Sequence, residues 1–169
     1  MNRIRVKALT EENFKRYGCF VKMIPPEGRP LGPAPIQFYP DLLRMSAVEG
    51  NLGISVNRLQ PRDLVITALE CHDHTQEFIL PLNGDALVHV APPTRKNAYP
   101  LNEVEVFFVP AGTALMIHAG VWHHAPFPIG GSELTAMVAL PERTYENDCF
   151  IHRLGEEERI AIDWDGKCS

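Results

Sequence analysis

Two histidine-rich segments contain the residues of this chain best suited to chemistry. The first contains His72, His74 and Glu77, and the second, further along the chain, contains His118 and His123. Imidazole and carboxylate groups suit Zn, Mn, Ni or Fe and leave coordination positions open for water or substrate. The residue types therefore predict a divalent metal ion held by His72, His74, Glu77 and His123. Glu77 could equally be a carboxylate beside the ligands or on the surface.

Strand geometry is what could bring these side chains together. Alternate side chains of a strand share a face, so His72 and His74 are both able to point into a barrel. Gly120 permits a tight turn that swings His123 inward. His124, the next residue, must then point the other way if the strand is regular.

Three further residues are candidates for catalysis. His118 is predicted to carry a proton, although it could also be a ligand or a turn residue. His124 is either a second acid or base or a structural hydrogen-bonding group, since imidazole titrates near neutral pH. Arg58, in the middle of a predicted strand, is expected to clamp a substrate carboxylate, and a salt bridge to Glu70 would explain it equally well.

Four other residues receive weaker assignments. Gln76 and Trp122 are predicted substrate contacts, and Trp122 is most simply an aromatic wall of the core or pocket. His89 faces either the barrel interior or solvent. Cys71 is predicted to be a small buried apolar side chain because no motif supplies a base for it.

Length and composition narrow the class of protein. The chain has 169 residues and a formal charge of -5, and its lysines and arginines are scattered. This predicts one domain and argues against nucleic acid or an anionic membrane surface as partner. The four cysteines have no CxxC spacing, and no apolar run is long enough for a signal core or a membrane span. We therefore expect a soluble cytoplasmic protein with reduced thiols.

Short strand patterns dominate the sequence, with a helix expected near each end. Leu9–Gly18 is predicted to be helical behind a Thr10 cap, and Glu156–Ile162 forms the second predicted helix. The proline-rich residues 24–40 are expected to form a loop that is a lid, a dimer arm or inert surface. The predicted strands are Arg44–Val48, Gly53–Arg58, Asp63–Leu69, Glu77–Leu82, Ala86–Ala91, Glu105–Val109, Ala114–His118 and Leu134–Leu140.

So many short, closely spaced strands indicate an all-β barrel or sandwich. We predict a single domain over residues 1–169. Within it, residues 1–43 form the N-terminal helix and proline-rich arm, residues 44–141 the barrel core, and residues 142–169 a C-terminal segment.

The two histidine segments resemble the motifs of the cupin superfamily. The first cupin motif has His-x-His, then Glu, then a Gly seven residues later; His72-x-His74, Glu77 and Gly84 fit it with one residue fewer before the Glu. The second motif is Pro-x-Gly-x-x-His, which His118-Ala-Gly-Val-Trp-His123 matches with His in place of Pro.

A closer resemblance is to the ureidoglycolate lyase family of cupins. It is carried by segments spread over nearly the whole chain: Leu9-Thr-x-Glu-x-Phe-x-x-Tyr-Gly18, Ile54-Ser-Val-Asn-Arg-Leu-Gln-Pro61, Glu70-x-His72 with Thr75-Gln76 and Pro81, Val121-Trp-His-His124, and Asn147-Asp-Cys149. The chain departs from that family at His72-Asp73-His74, where the family has one His followed by Pro, and at Glu77, where it has Gln.

The resemblance implies a fold, an activity and an assembly. The implied fold is the cupin double-stranded β-helix, a jelly-roll barrel, with short flanking helices. The implied enzyme is a carbon–nitrogen (amidine-type) lyase of allantoin and purine catabolism, which cleaves ureidoglycolate to glyoxylate and urea by metal-assisted elimination. Its partner is a small-molecule carboxylate substrate, and a homodimer is expected.

Two alternatives stay open from the residues. One is another metal-dependent cupin enzyme, an isomerase or dioxygenase acting on a small hydroxy or keto acid. The other is a non-catalytic cupin that binds a small ligand, because function lies in the site and not in the fold.

Overall fold

The protein is described by a computed structural model covering residues 2–46, 50–95 and 98–169. These residues form two β-sheets, two short α-helices and one 3-10 turn. The strands are β1 (Asn2–Ala8), β2 (Gly18–Lys22), β3 (Leu52–Leu59), β4 (Val65–Ile66), β5 (Ala68–Cys71), β6 (Glu77–Pro81), β7 (Ala86–Ala91), β8 (Glu105–Val109), β9 (Thr113–Ile117), β10 (Trp122–His123), β11 (Phe127–Pro128), β12 (Leu134–Pro141), β13 (Phe150–Arg153) and β14 (Ile160–Asp163). The helices are α1 (Glu11–Phe14) and α2 (Thr144–Asn147), and the 3-10 turn is Leu101–Glu103.

The larger sheet curls back towards itself. Its strand order is β13-β5-β10-β7-β8-β1-β14-β4, and β11 also pairs with β7. β4 and β5 are consecutive in sequence, separated by Thr67 alone, yet they lie near opposite ends of this order. The sheet must therefore bend round so that its two ends approach each other.

The smaller sheet has the order β2-β9-β6-β12-β3 and is antiparallel throughout. Residues of both sheets share one apolar cluster that includes Val88 and Phe107 from the larger sheet and Ile79 and Leu115 from the smaller. A second apolar cluster draws its strand residues from the larger sheet alone, including Leu87, and fills the inside of its curl. Both faces of the larger sheet are thus buried.

Helix α1 is shorter than the predicted Leu9–Gly18 but begins where the sequence indicates. Thr10 caps it by a capping box with Asn13, an arrangement that stabilises a helix by about 1 kcal/mol. Phe14 anchors the helix in the cluster between the sheets. The chain leaves the helical conformation because Gly18–Lys22 pairs with β9.

The other predicted elements have mixed outcomes. Ala86–Ala91 and Glu105–Val109 have their predicted bounds, and most other strands are shifted by one or two residues. The prediction of one strand over Asp63–Leu69 is wrong, because the chain forms two separate strands there, β4 and β5. Of the predicted strand Arg44–Val48, residues 44–46 have no regular structure and the remainder lies outside the described residues. Strands β1, β2, β10, β11 and β13 had no sequence prediction.

The predicted C-terminal helix over Glu156–Ile162 is wrong. The chain makes a turn there and continues as β14, which pairs in parallel with β1 and antiparallel to β4. Ile160, Ala161 and Ile162 are all buried by this pairing, which local helix propensity cannot outweigh. Among the described residues, no helix is long and apolar enough to cross a membrane.

Candidate metal centre

Four side chains with metal-binding atoms converge between the sheets. One ligand atom from each of Glu70, His72, Glu77 and His123 lies within 4.8 Å of the others. The Oε2 atom of Glu77 is 3.1 Å from Nε2 of His72 and 2.8 Å from Nε2 of His123. Both imidazoles and Glu77 are buried, whereas Glu70 is half-buried.

Strands of both sheets place these groups. His123 on β10 stands opposite Glu70 on β5, so their side chains share a face of the larger sheet. His72 follows the end of β5, two residues after Glu70, and Glu77 begins β6 of the smaller sheet. The centre therefore needs both sheets to be assembled.

Both imidazoles are oriented by their second ring nitrogen. Nδ1 of His72 lies 2.6 Å from the carbonyl oxygen of Asp148, and Nδ1 of His123 lies 2.8 Å from that of Val121. A carbonyl oxygen only accepts hydrogen bonds, so each Nδ1 must carry a proton, and each Nε2 points to Glu77 with a lone pair whenever the imidazole is neutral. Metal-ligating histidines are held in the same way.

Lone pairs of two imidazoles facing a carboxylate repel one another unless a positive charge lies between them. Protons supply that charge in the metal-free protein. Burial lowers the pKa of His123, but the Glu77 carboxylate outweighs it and raises that pKa to about 9. Burial raises the pKa of Glu77, but His123 and His72 outweigh it and lower that pKa to about 2. The group thus fits a divalent cation, which would take the place of these protons.

The loop that contains Asp148 fixes the chain just after His72. The Asp148 carboxylate accepts hydrogen bonds from the backbone N–H groups of Asp73 and His74 and from the Thr75 hydroxyl. This carboxylate therefore turns the chain away from the strand direction at the point where β5 ends.

That turn places His74 outside the cluster. The strand ends at Cys71, so the alternation that predicts a shared face for His72 and His74 does not extend to His74, whose side chain is exposed. Only three of the four predicted ligands, His72, Glu77 and His123, are brought together.

Glu70 is the fourth possible metal ligand of the cluster, and the sequence analysis did not predict it as a ligand. The signal that could have found it is the i, i+2 spacing from His72 within a strand. Its carboxylate also lies 3.8 Å from the Cys149 thiol.

The second histidine segment folds as its glycine predicts. Gly120 has φ +79°, and its N–H donates to the carbonyl oxygen of His72 at 2.6 Å. The turn around it connects β9 with β10 and delivers His123 to the centre. His118 begins this turn. It follows Ile117, the residue of β9 that pairs with Glu77, and the His118 side chain is exposed.

Arg58 lies on the outer surface of the smaller sheet. Its side chain is exposed and donates two hydrogen bonds to the carboxylate of Glu133, and it does not reach Glu70. In the strand register it sits near the opposite end of β12 from Glu77. The structure therefore does not bring Arg58 to the metal centre.

Trp122 and Gln76 contact other parts of the fold. The Trp122 indole N–H donates to the Thr94 hydroxyl at 2.8 Å, and the ring lines a cavity on the other face of β10 from His123. Gln76 is half-buried, and its Oε1 atom accepts from the backbone N–H of Ser46 at 2.8 Å. His124 likewise faces away from the centre and lines a second cavity.

Nearly the whole chain matches one protein family. The ureidoglycolate lyase family model matches residues 1–161. The chain belongs to the ureidoglycolate lyase family. Its resemblance to that family, seen in the sequence segments, is confirmed, and its fold is the cupin double-stranded β-helix with short flanking helices.

Curated relatives agree with this membership over nearly their full length. Ureidoglycolate lyases of Escherichia coli strains E24377A and K12 are each 26% identical to the chain over 160 residues, which is 92% of this chain and 97% of theirs.

Solved structures with some likeness to the fold are oxalate decarboxylases. One from Bacillus subtilis has TM-score 0.44 and 16% identity, and the match covers 62% of this chain and 24% of that larger one. One from Lactobacillus farciminis has TM-score 0.43 and 18% identity, covering 70% of this chain and 36% of that one.

Proposed function

We propose that this family member is a carbon–nitrogen lyase that cleaves ureidoglycolate to glyoxylate and urea with the help of a divalent metal ion. The observation that carries the proposal is the single Glu77 oxygen facing the Nε2 atoms of both His72 and His123. Family membership supports an enzyme of the lyase class. Zn, Mn, Ni and Fe are all suited to such nitrogen and oxygen ligands.

His72, Glu77 and His123 would hold the metal, with Glu70 positioned to complete the set. The metal would supply Lewis-acid polarisation of the substrate oxygens, which eases loss of the hydroxyl proton. The buried carbonyls of Asp148 and Val121 keep both imidazoles in the required tautomer.

Elimination requires two proton movements that balance. The substrate hydroxyl loses a proton, the carbon–nitrogen bond breaks as the carbonyl of glyoxylate forms, and the leaving nitrogen gains a proton to give urea. We assign the delivery of protons to His118, because it is exposed to solvent in the turn next to the Glu77-paired end of β9.

The test compares His72 with His74, two histidines that the sequence analysis predicts as metal ligands. We expect His72→Ala to lose both bound metal, measured by elemental analysis, and the enzymatic release of glyoxylate and urea above the spontaneous rate. His74→Ala is the matched control and should keep both, because its side chain is exposed outside the cluster. Equal loss in the two variants, or full activity of metal-stripped protein, would contradict the proposal.

The same measurements separate the remaining alternatives. If the protein binds a metal ion but does not cleave ureidoglycolate, the proposed metal centre is supported and ureidoglycolate is excluded as the substrate. Oxygen consumption with bound Fe would then favour a dioxygenase on a small hydroxy or keto acid.

We also propose that the chain pairs with a second copy of itself through β3. This strand is an edge of the smaller sheet, and its outer face carries Leu52, Ile54 and Val56 with exposures of 51%, 70% and 58%. Edge strands with apolar faces are normally covered. Light scattering after gel filtration should show a dimer that Ile54→Lys converts to a monomer, whereas Ile24→Lys, in an exposed loop, should leave it unchanged.

A single domain over residues 1–169 and a cytoplasmic location complete the proposal. The first is supported by the pairing of β1 with β14, which joins the two ends of the chain in one sheet. The second is supported by four free cysteines, two of them exposed.

A further inference from the structure

The inward-facing side chains of the larger sheet become more exposed from the metal centre towards the edge strand β13. His123 on β10 stands opposite Glu70 on β5, and Glu70 stands opposite Ile151 on β13, so the three side chains share one face. His123 is 2% exposed, Glu70 is half-buried and Ile151 is 52% exposed. The thiol of Cys149, two residues before Ile151, lies 3.8 Å from the Glu70 carboxylate, which agrees with this direction.

The smaller sheet shows the same trend towards its edge strand β3. Ile79 on β6 pairs with Val138 on β12, and Val138 pairs with Ser55 on β3. Ile79 belongs to the apolar cluster between the sheets, so all three side chains face inward. Ile79 and Val138 are 1% and 5% exposed, whereas Ser55 is exposed.

The opposite side of the space between the sheets is closed. There Phe14 of α1 packs against Phe20 of β2 and Phe107 of β8, with ring centroids 6.2 and 5.3 Å apart. Ile117 of β9, which pairs with Glu77 from this side, is buried. Because β2 and β8 meet here, the edges β3 and β13, which lie beyond the metal centre in the other direction, face each other across an opening on the far side.

A glycine keeps this opening clear in line with Glu77. Ala139 on β12 pairs with Phe78 on β6, so the next residue, Leu140, stands beside Glu77, and Leu140 pairs with Gly53 on β3. A Cβ atom at Gly53 would meet the carbonyl oxygen of Leu140 at 3.4 Å, an ordinary contact. The backbone therefore accepts a side chain at this position, and that side chain would project into the opening.

We propose that the substrate enters the metal centre through the opening between β3 and β13, and that Gly53, Ser55 and Ile151 determine which substrates fit. This rests on the proposed function. Packed sheets lie about 10 Å apart, which admits one small molecule where the facing side chains are small. The carboxylate end of ureidoglycolate points inward, and its ureido group stays in the opening, where the Ser55 hydroxyl hydrogen-bonds it and Ile151 packs against it. The proposed pairing with a second copy uses the outer face of β3, which the substrate leaves free.

The experiment compares ureidoacetate with acetate by calorimetry on protein loaded with Mn²⁺. Ureidoacetate is ureidoglycolate without its hydroxyl group and therefore cannot undergo the elimination, and acetate lacks the ureido group as well. We expect ureidoacetate to bind about two- to tenfold more tightly than acetate, the effect of one hydrogen bond. Ser55→Ala should remove this preference and Ser55→Thr should keep it, and neither should change the affinity for acetate.

Gly53→Val should obstruct the opening. We expect it to weaken ureidoacetate binding at least about fivefold, with unchanged Mn²⁺ content and no loss of stability in urea, because a β-branched side chain suits a strand better than Gly. Val56→Leu is the control, since it adds volume on the outer face of the same strand and should leave both affinities unchanged. Ile151→Trp obstructs the same opening from the larger sheet, and its effect on ureidoacetate decides the question if Gly53→Val does not fold.

Four results would overturn the proposal. They are equal affinity of the wild type for the two ligands, no binding of ureidoacetate at millimolar concentration, a preference for ureidoacetate that Ser55→Ala leaves unchanged, and ureidoacetate affinity that both Gly53→Val and Ile151→Trp leave unchanged. The outcome is separate from that of the proposed reaction. If the binding differences appear but ureidoglycolate is not cleaved, the opening is supported and the reaction is rejected. If ureidoglycolate is cleaved with a KM that Gly53→Val does not raise, the reaction is supported and the opening is rejected.

Discussion

Replacing Glu77 by Gln should change how the stability of the metal-free protein depends on pH. Glu77 is the only partner of both Nε2 atoms among the described residues, at 3.1 Å from His72 and 2.8 Å from His123. Gln has nearly the same shape but no charge. The substitution therefore removes the attraction that holds the imidazoles in their protonated form, and leaves the packing in place.

The size of the effect follows from the pKa of His123. Its rise from 6.5 to about 9 corresponds to about 3 kcal/mol at about 1.4 kcal/mol per pH unit. This agrees with the cost of breaking a buried ion pair, about 3–5 kcal/mol.

The pKa values of His123 and Glu77 set the pH range over which this ion pair stabilises the fold. A raised histidine pKa contributes stability that is complete below 6.5 and is lost as the pH rises through about 9. The lowered pKa of Glu77 contributes stability that is complete above 4.5 and is lost as the pH falls through about 2. The difference in unfolding free energy between wild type and Glu77→Gln should thus be largest between pH 4.5 and 6.5 and should shrink towards pH 9.

Urea unfolding of chelator-treated protein at several pH values provides the measurement. Glu103→Gln is the control, because Glu103 forms an exposed ion pair with Arg16 and such pairs contribute little, about 0–1 kcal/mol. A wild-type to Glu77→Gln difference that is the same at pH 6 and pH 9 would refute the reasoning.

Three further predictions concern the metal and the fold. Asp148→Ala should weaken metal binding about 10- to 100-fold in a chelator competition, because the turn after His72 loses its carboxylate anchor; unchanged affinity would count against that role. Metal affinity should rise with pH until about 9, where His123 no longer holds its proton, and a flat profile from pH 6 to 9 would contradict this. Gly18→Ala should destabilise the protein by at least about 2 kcal/mol in urea unfolding, because the new methyl group would collide with the backbone of β9, whereas Gly84→Ala, which has room, should cost much less.

Local sequence determined the strands that are apolar and clearly bounded. Ala86–Ala91 and Glu105–Val109 are rich in β-branched or aromatic residues and are enclosed by Asp, Pro or Asn, and both appear with their predicted bounds. The capping residue Thr10 fixed the start of α1 in the same way. Such signals act within a few residues and do not depend on the rest of the fold.

Long-range pairing decided the elements that the sequence did not specify. The residues after Gly155 have the composition of a short helix, but β1 offers Ile160–Asp163 an unpaired edge and burial for its apolar side chains. Strand β1 was not predicted, although Ile4 and Val6 alternate with Arg3, Arg5 and Lys7, and only the folded chain shows its pairing with β8 and β14.

The same distinction between local sequence and tertiary structure applies to the metal centre. Residue types and motif spacing indicated His72, Glu77 and His123. Only the folded chain shows that Asp148 ends the strand before His74, and that β10 stands beside β5 so that Glu70 joins the group. Side-chain direction depends on where a strand ends and which strand lies beside it, and tertiary contacts set both.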